Sequence, residues 1–299
     1  MLNLPKKVTI IEVGPRDGLQ NEKLFVPTEI KKQFISKLKK AGLKEMELTS
    51  FVSPKWVPQM ADAAEITADC LDADSLNIVL APNRNGINRV YAANCHAVAV
   101  FVGVSNSFNL KNINKSTQDS MAELKPIIHE LKEKNYFVRA CISTAFYCPY
   151  EGKIAETETL RLCREFVEAG VDELSVADTI GMAAPNEAYS LFSTLTEQFT
   201  DILLTAHFHD TRKLGLANIF ASLQAGISRF DTSAGGLGGC PFAPGASGNT
   251  ATEDVVYMLE RMGIDTGIDL DKLMEAIEVV RPHLSREIDS GYYRLHTKS

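Results

Sequence analysis

The sequence predicts an α/β fold, a (β/α)8 or TIM barrel with appended C-terminal helices, on three observations. Eight short runs rich in Val, Ile, Leu and Ala punctuate the chain, and amphipathic stretches separate them. Near-continuous apolar runs suit parallel strands covered on both faces, and eight such strand and helix units are enough to close a barrel. The competing open doubly wound sheet usually carries a GxGxxG turn after its first strand, and "EVGPRDGLQNE" (12–22) has none.

The elements follow in order. "VTIIEV" (8–13) is the first strand, and "PTEIKKQFISKLKKAG" is a helix with Ile30, Phe34, Ile35 and Leu38 at helical spacing, stopped by Gly42. The next strands are "EMELTSF" (45–51), "SLNIVLAP" (75–82), "AVAVFVGV" (97–104) and "YFVRACIST" (136–144). "ELSVADT" (173–179), "LLTAHFHD" (203–210) and "ISRFDTS" (227–233) complete the eight. "TQDSMAELKPIIHELKEK", "TETLRLCREFVEAG" and "PNEAYSLFSTLTEQF" read as intervening helices. No linker, repeat or low-complexity segment divides the chain. One domain over residues 1–299 is expected, with the barrel at about 7–263 and a helical extension at about 264–299.

Composition narrows the function. The 299 residues are 45% hydrophobic and 23% charged, an ordinary globular balance, and no apolar stretch approaches the roughly 20 residues of a membrane span. A soluble protein without a cleaved signal is expected. Its six cysteines form no CxxC pair, so reduced thiols in a cytoplasm fit better than a disulfide framework or a zinc knuckle. A net charge of −7 argues against nucleic acid as a general partner, while a few local Lys and Arg residues still suffice for a small anion.

In a barrel, chemistry gathers where strands end. Arg16 and Asp17 follow the first strand, Glu47 lies in the second, Asp178 ends the sixth, and His207, His209 and Asp210 end the seventh. His207 and His209 are two apart in a strand, so both imidazoles project from one face while Phe208 turns away. A single strand-end histidine is commonly a hydrogen-bonded core residue; a pair beside a carboxylate favours a metal. Asp17, His207, His209 and Asn249 supply a mixed nitrogen and oxygen set for a six-coordinate divalent cation, Mg2+ or Mn2+, with iron as an alternative.

Six segments carry a resemblance. "EVGPRDGLQNE" (12–22), "ELTSFVSPKWVPQM" (47–60), "CPYEGKI" (148–154), "ADTIG" (177–181), "HFHDT" (207–211) and "GGLGGCPFAPGASGNTATEDVVYML" (235–259) closely resemble the 3-hydroxy-3-methylglutaryl-CoA lyase family. The Gly-Cys loop is the most specific part; Arg-Asp after the first strand and HxH in the seventh are shared with related acyl-CoA synthases and keto-acid aldolases. The resemblance implies cleavage of the hydroxymethylglutaryl thioester to acetoacetate and acetyl-CoA, in leucine degradation and ketone-body formation. It implies Asp17, His207, His209 and Asn249 as ligands, Arg16 as the group polarising the thioester oxygen, Cys240 in proton transfer and Glu47 as a supporting acid. Two segments depart from the family pattern: "RKLGLAN" after HFHDT places Arg212 and Lys213 where an uncharged segment is usual, and "ACIST" lacks a tyrosine and glycine.

The chemistry is consistent with these residues. A retro-Claisen cleavage needs a base for a tertiary hydroxyl and stabilisation of an enolate, then a proton donor. His207 is the first choice of base, against Asp17 or water. Cys240, in a glycine-rich loop poorly suited to core packing, is the expected donor; an isolated cysteine would more often be a small buried hydrophobe. Lys23, Lys111 and Asn112 are candidates for the CoA phosphates, although surface lysines are usually just solvated. Asp178 and Ser175 serve either as helix caps or as braces for His and Asn side chains. An acyl-CoA thioester is the expected partner, and the amphipathic C-terminal helix suits a homodimer contact. The other classes are a condensing acyltransferase, whose relatives usually carry an additional C-terminal domain, and a non-catalytic CoA or metal-binding scaffold.

Overall fold

A computed structural model describes residues 4–239 and 248–296. The barrel strands are β1 (Thr9–Glu12), β2 (Glu45–Ser50), β3 (Leu76–Leu80), β4 (Ala97–Gly103) and β5 (Phe137–Ser143). A two-stranded hairpin, β6 (Tyr147–Cys148) and β7 (Gly152–Lys153), precedes β8 (Glu173–Asp178), β9 (Leu203–Phe208) and β10 (Arg229–Thr232). The eight long strands close in the order β1-β10-β9-β8-β5-β4-β3-β2, every pair parallel. All eight expected strands are present, shorter at their ends by one or two residues.

Helices return the chain between strands: α1 (Thr28–Lys40), α2 (Ala63–Cys70), α3 (Arg84–Ala92), α4 (Asn106–Ile113), α5 (Thr117–Glu133), α6 (Glu156–Ala169), α7 (Pro185–Gln198), α8 (Gly215–Gln224) and α9 (Thr252–Arg261). The C-terminal segment adds α10 (Leu270–Val280) and α11 (Gly291–His296). Helix α1 buries Phe34, Ile35 and Leu38, the stripe its spacing predicts. Gly42 ends it at φ 104°, and a Cβ there would sit 2.3 Å from the Gly267 carbonyl oxygen, so the approach of the C-terminal segment requires glycine.

Alternation divides the strand residues between two cores. Outward residues such as Val98, Val100, Val138 and Ala140 pack under the helices, while Ile11, Val13, Ile78, Leu80, Ala97 and Ala99 form a separate apolar cluster on the inner side. The rest of the interior is charged. Glu47, Arg139, Glu173 and Asp231 are all buried, with Arg139 fully so and paired to Asp231. Those three carboxylates surround Arg139, and Arg16 pairs with Glu47 and Arg229 with Glu173, so each buried charge has an opposite one beside it.

Three features escape the periodicity. The chain leaves β1 through a π-type turn, Gly14–Gly18, in which the Val13 carbonyl accepts from Arg16 N, Asp17 N and Gly18 N at 3.2, 2.7 and 3.1 Å. Helix α4 and the hairpin are each too short to display a period. Among the described residues no helix is long and apolar enough to cross a membrane.

Candidate functional site

The site assembles from the ends of β1, β2, β9 and the segment before α9. In the π-type turn, Arg16 and Asp17 are consecutive yet both aim at the barrel mouth, because the wide turn winds more residues per revolution than an α-turn. Arg16 Nη1 donates to Asp17 Oδ1 at 2.6 Å, and Arg16 Nε donates to Glu47 Oε2 at 2.5 Å. Arg16 Nη2 also pairs with Glu47. Glu47 is therefore the buried counterion that orients Arg16. A guanidinium has five N–H bonds; three are engaged here, which leaves two for an oxygen of a bound molecule.

His207 and His209 project together as alternation requires, with ring centroids 5.1 Å apart. One ligand atom each from Asp17, His207 and His209 lies within 4.8 Å of the others. His207 Nδ1 faces Asp231 Oδ2 at 3.1 Å, so Nε2 is the ring atom free for that set. His209 pairs with Asn249 through an antiparallel bridge, and Asn249 Nδ2 donates to Asp17 Oδ2 at 2.8 Å and to the Leu237 carbonyl at 3.0 Å. Asn249 Oδ1 is buried and has no hydrogen-bond partner among the described residues. A buried acceptor without a donor is costly, and a cation beside the Asp-His-His set would satisfy it, so the four residues fit a divalent ion. Gly238 makes room for this amide: at φ 125°, a Cβ there would lie 2.6 Å from Asn249 Nδ2.

Electrostatics separate the two imidazoles. Burial would lower the basicity of His207, but the hydrogen bond and charge of Asp231 outweigh it and raise its pKa. No carboxylate hydrogen-bonds His209; burial, then the neighbouring His207, pulls it down to about 4 even with Asp17 Oδ2 4.0 Å from its Nε2. Burial would raise Asp17, yet Arg16, His207 and His209 together hold it at about 2. A neutral imidazole and an ionised carboxylate are the protonation states a cation needs.

The other expected residues are placed as follows. Asp178 accepts from Met182 N at 3.0 Å and Ala183 N at 2.9 Å, which braces the loop after β8. Ser175 Oγ donates to Asp231 Oδ2 at 2.7 Å, within reach of His207's partner. Lys23 is exposed in the segment after β1, and Lys111 and Asn112 are exposed on α4, the helix after β4; none of the three is in the ligand cluster. The Lys111 ammonium lies 5.1 Å from the Tyr150 ring centroid. Arg212 donates to the Ile180 and Gly181 carbonyls at 3.0 and 3.1 Å, so one of the two departing basic residues is a loop brace. Cys240 lies outside the described residues.

Sequence reasoning missed Glu12, Arg139 and Asp231. Their signal is a charge inside an apolar strand: Arg139 and Asp231 sit at inward positions and pair with one another across the barrel, while Glu12 shares the outward parity of Ile10 and is held by groups just after β10 and at the start of α9. Glu12 accepts from Gly14 N at 2.7 Å, Ala234 N at 2.9 Å and Thr252 Oγ1 at 2.8 Å, tying the π-type turn to the start of the glycine-rich loop. Burial pushes its pKa up from 4.5 to about 7, against those three donors. A carboxyl raised on folding stabilises the fold most below its unfolded pKa and loses that contribution as pH rises through the folded value. Glu12→Gln is expected to reduce the fall in unfolding free energy between about pH 4.5 and about pH 8 by ~3 kcal/mol, read by urea unfolding at each pH. An unchanged slope would mean that Glu12 ionises freely.

A closed (β/α)8 barrel with an Asp-His-His set at the C-terminal ends of its strands, beside an arginine clamped by two carboxylates, defines a barrel protein with a candidate metal centre at its mouth. The chain belongs to the HMGL-like family, whose model matches residues 7–280. It is 44% identical over 288 residues to hydroxymethylglutaryl-CoA lyase of Bacillus subtilis, covering 96% of each chain. It is also 44% identical to the human mitochondrial enzyme of that name, over 97% of this chain and 90% of that one. Among solved structures, the Bacillus subtilis HMG-CoA lyase superposes with a TM-score of 0.95 at 42% identity, covering 98% of this chain and 99% of that one. An HMG-CoA lyase from Acinetobacter baumannii in complex with coenzyme A and 3-methylmalate superposes with a TM-score of 0.91 at 38% identity, over 97% and 95% of the two chains.

Proposed function

We propose that this chain is a hydroxymethylglutaryl-CoA lyase, cleaving 3-hydroxy-3-methylglutaryl-CoA to acetyl-CoA and acetoacetate. The observation that carries the reading is the convergence of Asp17, His207, His209 and Asn249 beside Arg16, in a chain 44% identical to enzymes of that name over nearly its whole length. Oxygen and imidazole donors suit Mg2+ or Mn2+. When bound, such an ion would hold the tertiary hydroxyl and a neighbouring substrate oxygen and lower the hydroxyl pKa.

The chain's own residues supply the rest. Arg16, fixed by Glu47 and Asp17, directs its two remaining N–H bonds at the thioester oxygen, where the enolate charge develops. The carbon-carbon bond breaks, its electrons enter the thioester, and acetoacetate departs. Cys240, in the glycine-rich loop, returns a proton to the acetyl-CoA enolate carbon. Lys23, Lys111 and Asn112 meet the CoA phosphates beyond the mouth; the coenzyme A complex of the Acinetobacter relative supports an acyl-CoA partner.

The base needs a choice. With Nδ1 on Asp231, His207 has one lone pair left, on Nε2, and it serves as ligand or as base but not as both. Its place within the Asp-His-His set supports the ligand role, with the hydroxyl proton passing to water. A second reading, in which His207 is the base and the ion rests on Asp17, His209 and Asn249, is favoured by the basicity that Asp231 lends it. The barrel and its C-terminal helices are taken as one unit. Free described cysteines support a reducing, cytoplasmic setting, and exposed Leu295 on α11 supports a homodimer.

The test is a product assay on hydroxymethylglutaryl-CoA with added Mg2+ or Mn2+. Acetoacetate release dependent on the metal is expected. Thioester consumption from acetyl-CoA plus a keto acid would point to a condensing synthase, and binding without turnover to a scaffold.

A further inference from the structure

We infer that Asp231 is a positioning residue that holds His207 with Nε2 facing the ligand set, and that Arg139 and Ser175 hold Asp231 for this purpose. The inference rests on the reading of Asp17, His207 and His209 as a metal centre. Strand pairing sets the geometry first: Asp231 on β10 is in register with His207 on β9, so both side chains enter the barrel from adjacent strands at one level. Asp231 Oδ2 then lies 3.1 Å from His207 Nδ1 and 2.7 Å from Ser175 Oγ, and Arg139 Nη2 donates to both Asp231 oxygens.

The blander account is that Asp231 merely neutralises a buried arginine. That account is incomplete: Arg139 also has Glu47 at 3.9 Å and Glu173 at 4.0 Å, and neutralising it does not explain why the carboxylate that hydrogen-bonds it also meets His207 Nδ1 and Ser175 Oγ. Asp231 instead collects three donors on one buried carboxylate, and one of them is the imidazole. An imidazole whose Nδ1–H is given to a carboxylate has its tautomer fixed and its ring locked, which is how ligating histidines are usually oriented.

The same contacts join the two ends of the ligand set. From Asp17 the network runs through Arg16, Glu47, Arg139 and Asp231, alternating in sign, and ends on the His207 imidazole. Asp17 and His207 are thereby held relative to one another by a buried network rather than by a flexible loop.

Asp231→Asn tests this, because the amide keeps the shape but cannot accept from all three donors. In titrations of Mn2+ without substrate, followed by the loss of free-ion electron spin resonance, Kd is expected to weaken about tenfold to a hundredfold. Circular dichroism of the same samples checks the fold. A Kd within about twofold of wild type in a folded variant overturns the inference.

A second readout needs no variant. Nitrogen-15 imidazole spectra of the wild-type protein above about pH 8 should show His207 as the Nδ1–H tautomer, the less common one for a free imidazole; Nε2–H overturns the inference even if Asp231→Asn fails to fold. Failure of the metal-centre reading looks different: wild-type protein would not bind Mn2+, while the tautomer would still report on Asp231.

Discussion

Asp17→Asn is expected to lower turnover of hydroxymethylglutaryl-CoA by roughly a thousandfold, the equivalent of ~4 kcal/mol of lost charge stabilisation at a metal-dependent step. Asp17 is the only carboxylate among the three clustered ligands, so the substitution leaves two imidazoles and an amide for a divalent ion. Hard cations bind such neutral donors weakly. The Mn2+ affinity of the free protein should fall in parallel, and raising Mn2+ should recover part of the activity. Stability should respond less and in a definite direction. The Asp17 carboxyl is held at about 2 in the fold against 3.8 unperturbed, so its stabilising contribution is present above about pH 3.8 and disappears as pH falls through about 2. The substitution removes that contribution, ~2 kcal/mol at neutral pH, since the Asp17 side chain is only 17% exposed. Unchanged Mn2+ affinity would remove Asp17 from the metal centre.

Arg16→Lys should act on chemistry without acting on the metal. Lysine keeps the positive charge that Glu47 needs, so the variant avoids an unpaired buried carboxylate and the ~3–5 kcal/mol that such a charge costs. What it loses is the fork. One ammonium cannot contact Glu47 through two nitrogens, reach Asp17 Oδ1 and still present two parallel N–H bonds to a developing enolate. A fall in kcat of about a hundredfold to a thousandfold is expected, with Mn2+ affinity and KM within a few-fold of wild type. A large rise in KM at constant kcat would place Arg16 in ground-state binding and withdraw its role at the thioester oxygen.

Both results depend on residues that were visible in the chain before any fold was known. The pair in "HFHDT" and the Arg-Asp of "GPRDG" announce themselves because polar residues interrupt apolar strand runs at points where a barrel presents its mouth. Strand count and strand limits were equally legible, since period-two burial and helical stripes are local properties of the chain. Glu12, Arg139 and Asp231 were not legible. Each is one charge inside an apolar strand, and its meaning lies in a partner brought close by the closure of the sheet: Asp231 and Arg139 are 92 positions apart, and Glu12 reaches Thr252 over 240.

The order of apolar and polar residues along the chain settled the architecture, the face of each strand and the identity of the candidate ligands, because alternation and spacing are short-range constraints. Which nitrogen of His207 faces the ligands, which carboxylates clamp Arg16, and why Asn249 needs a glycine beside it were settled by barrel closure. Those are relations between side chains from non-adjacent strands, and register and distance in three dimensions are their only physical carriers.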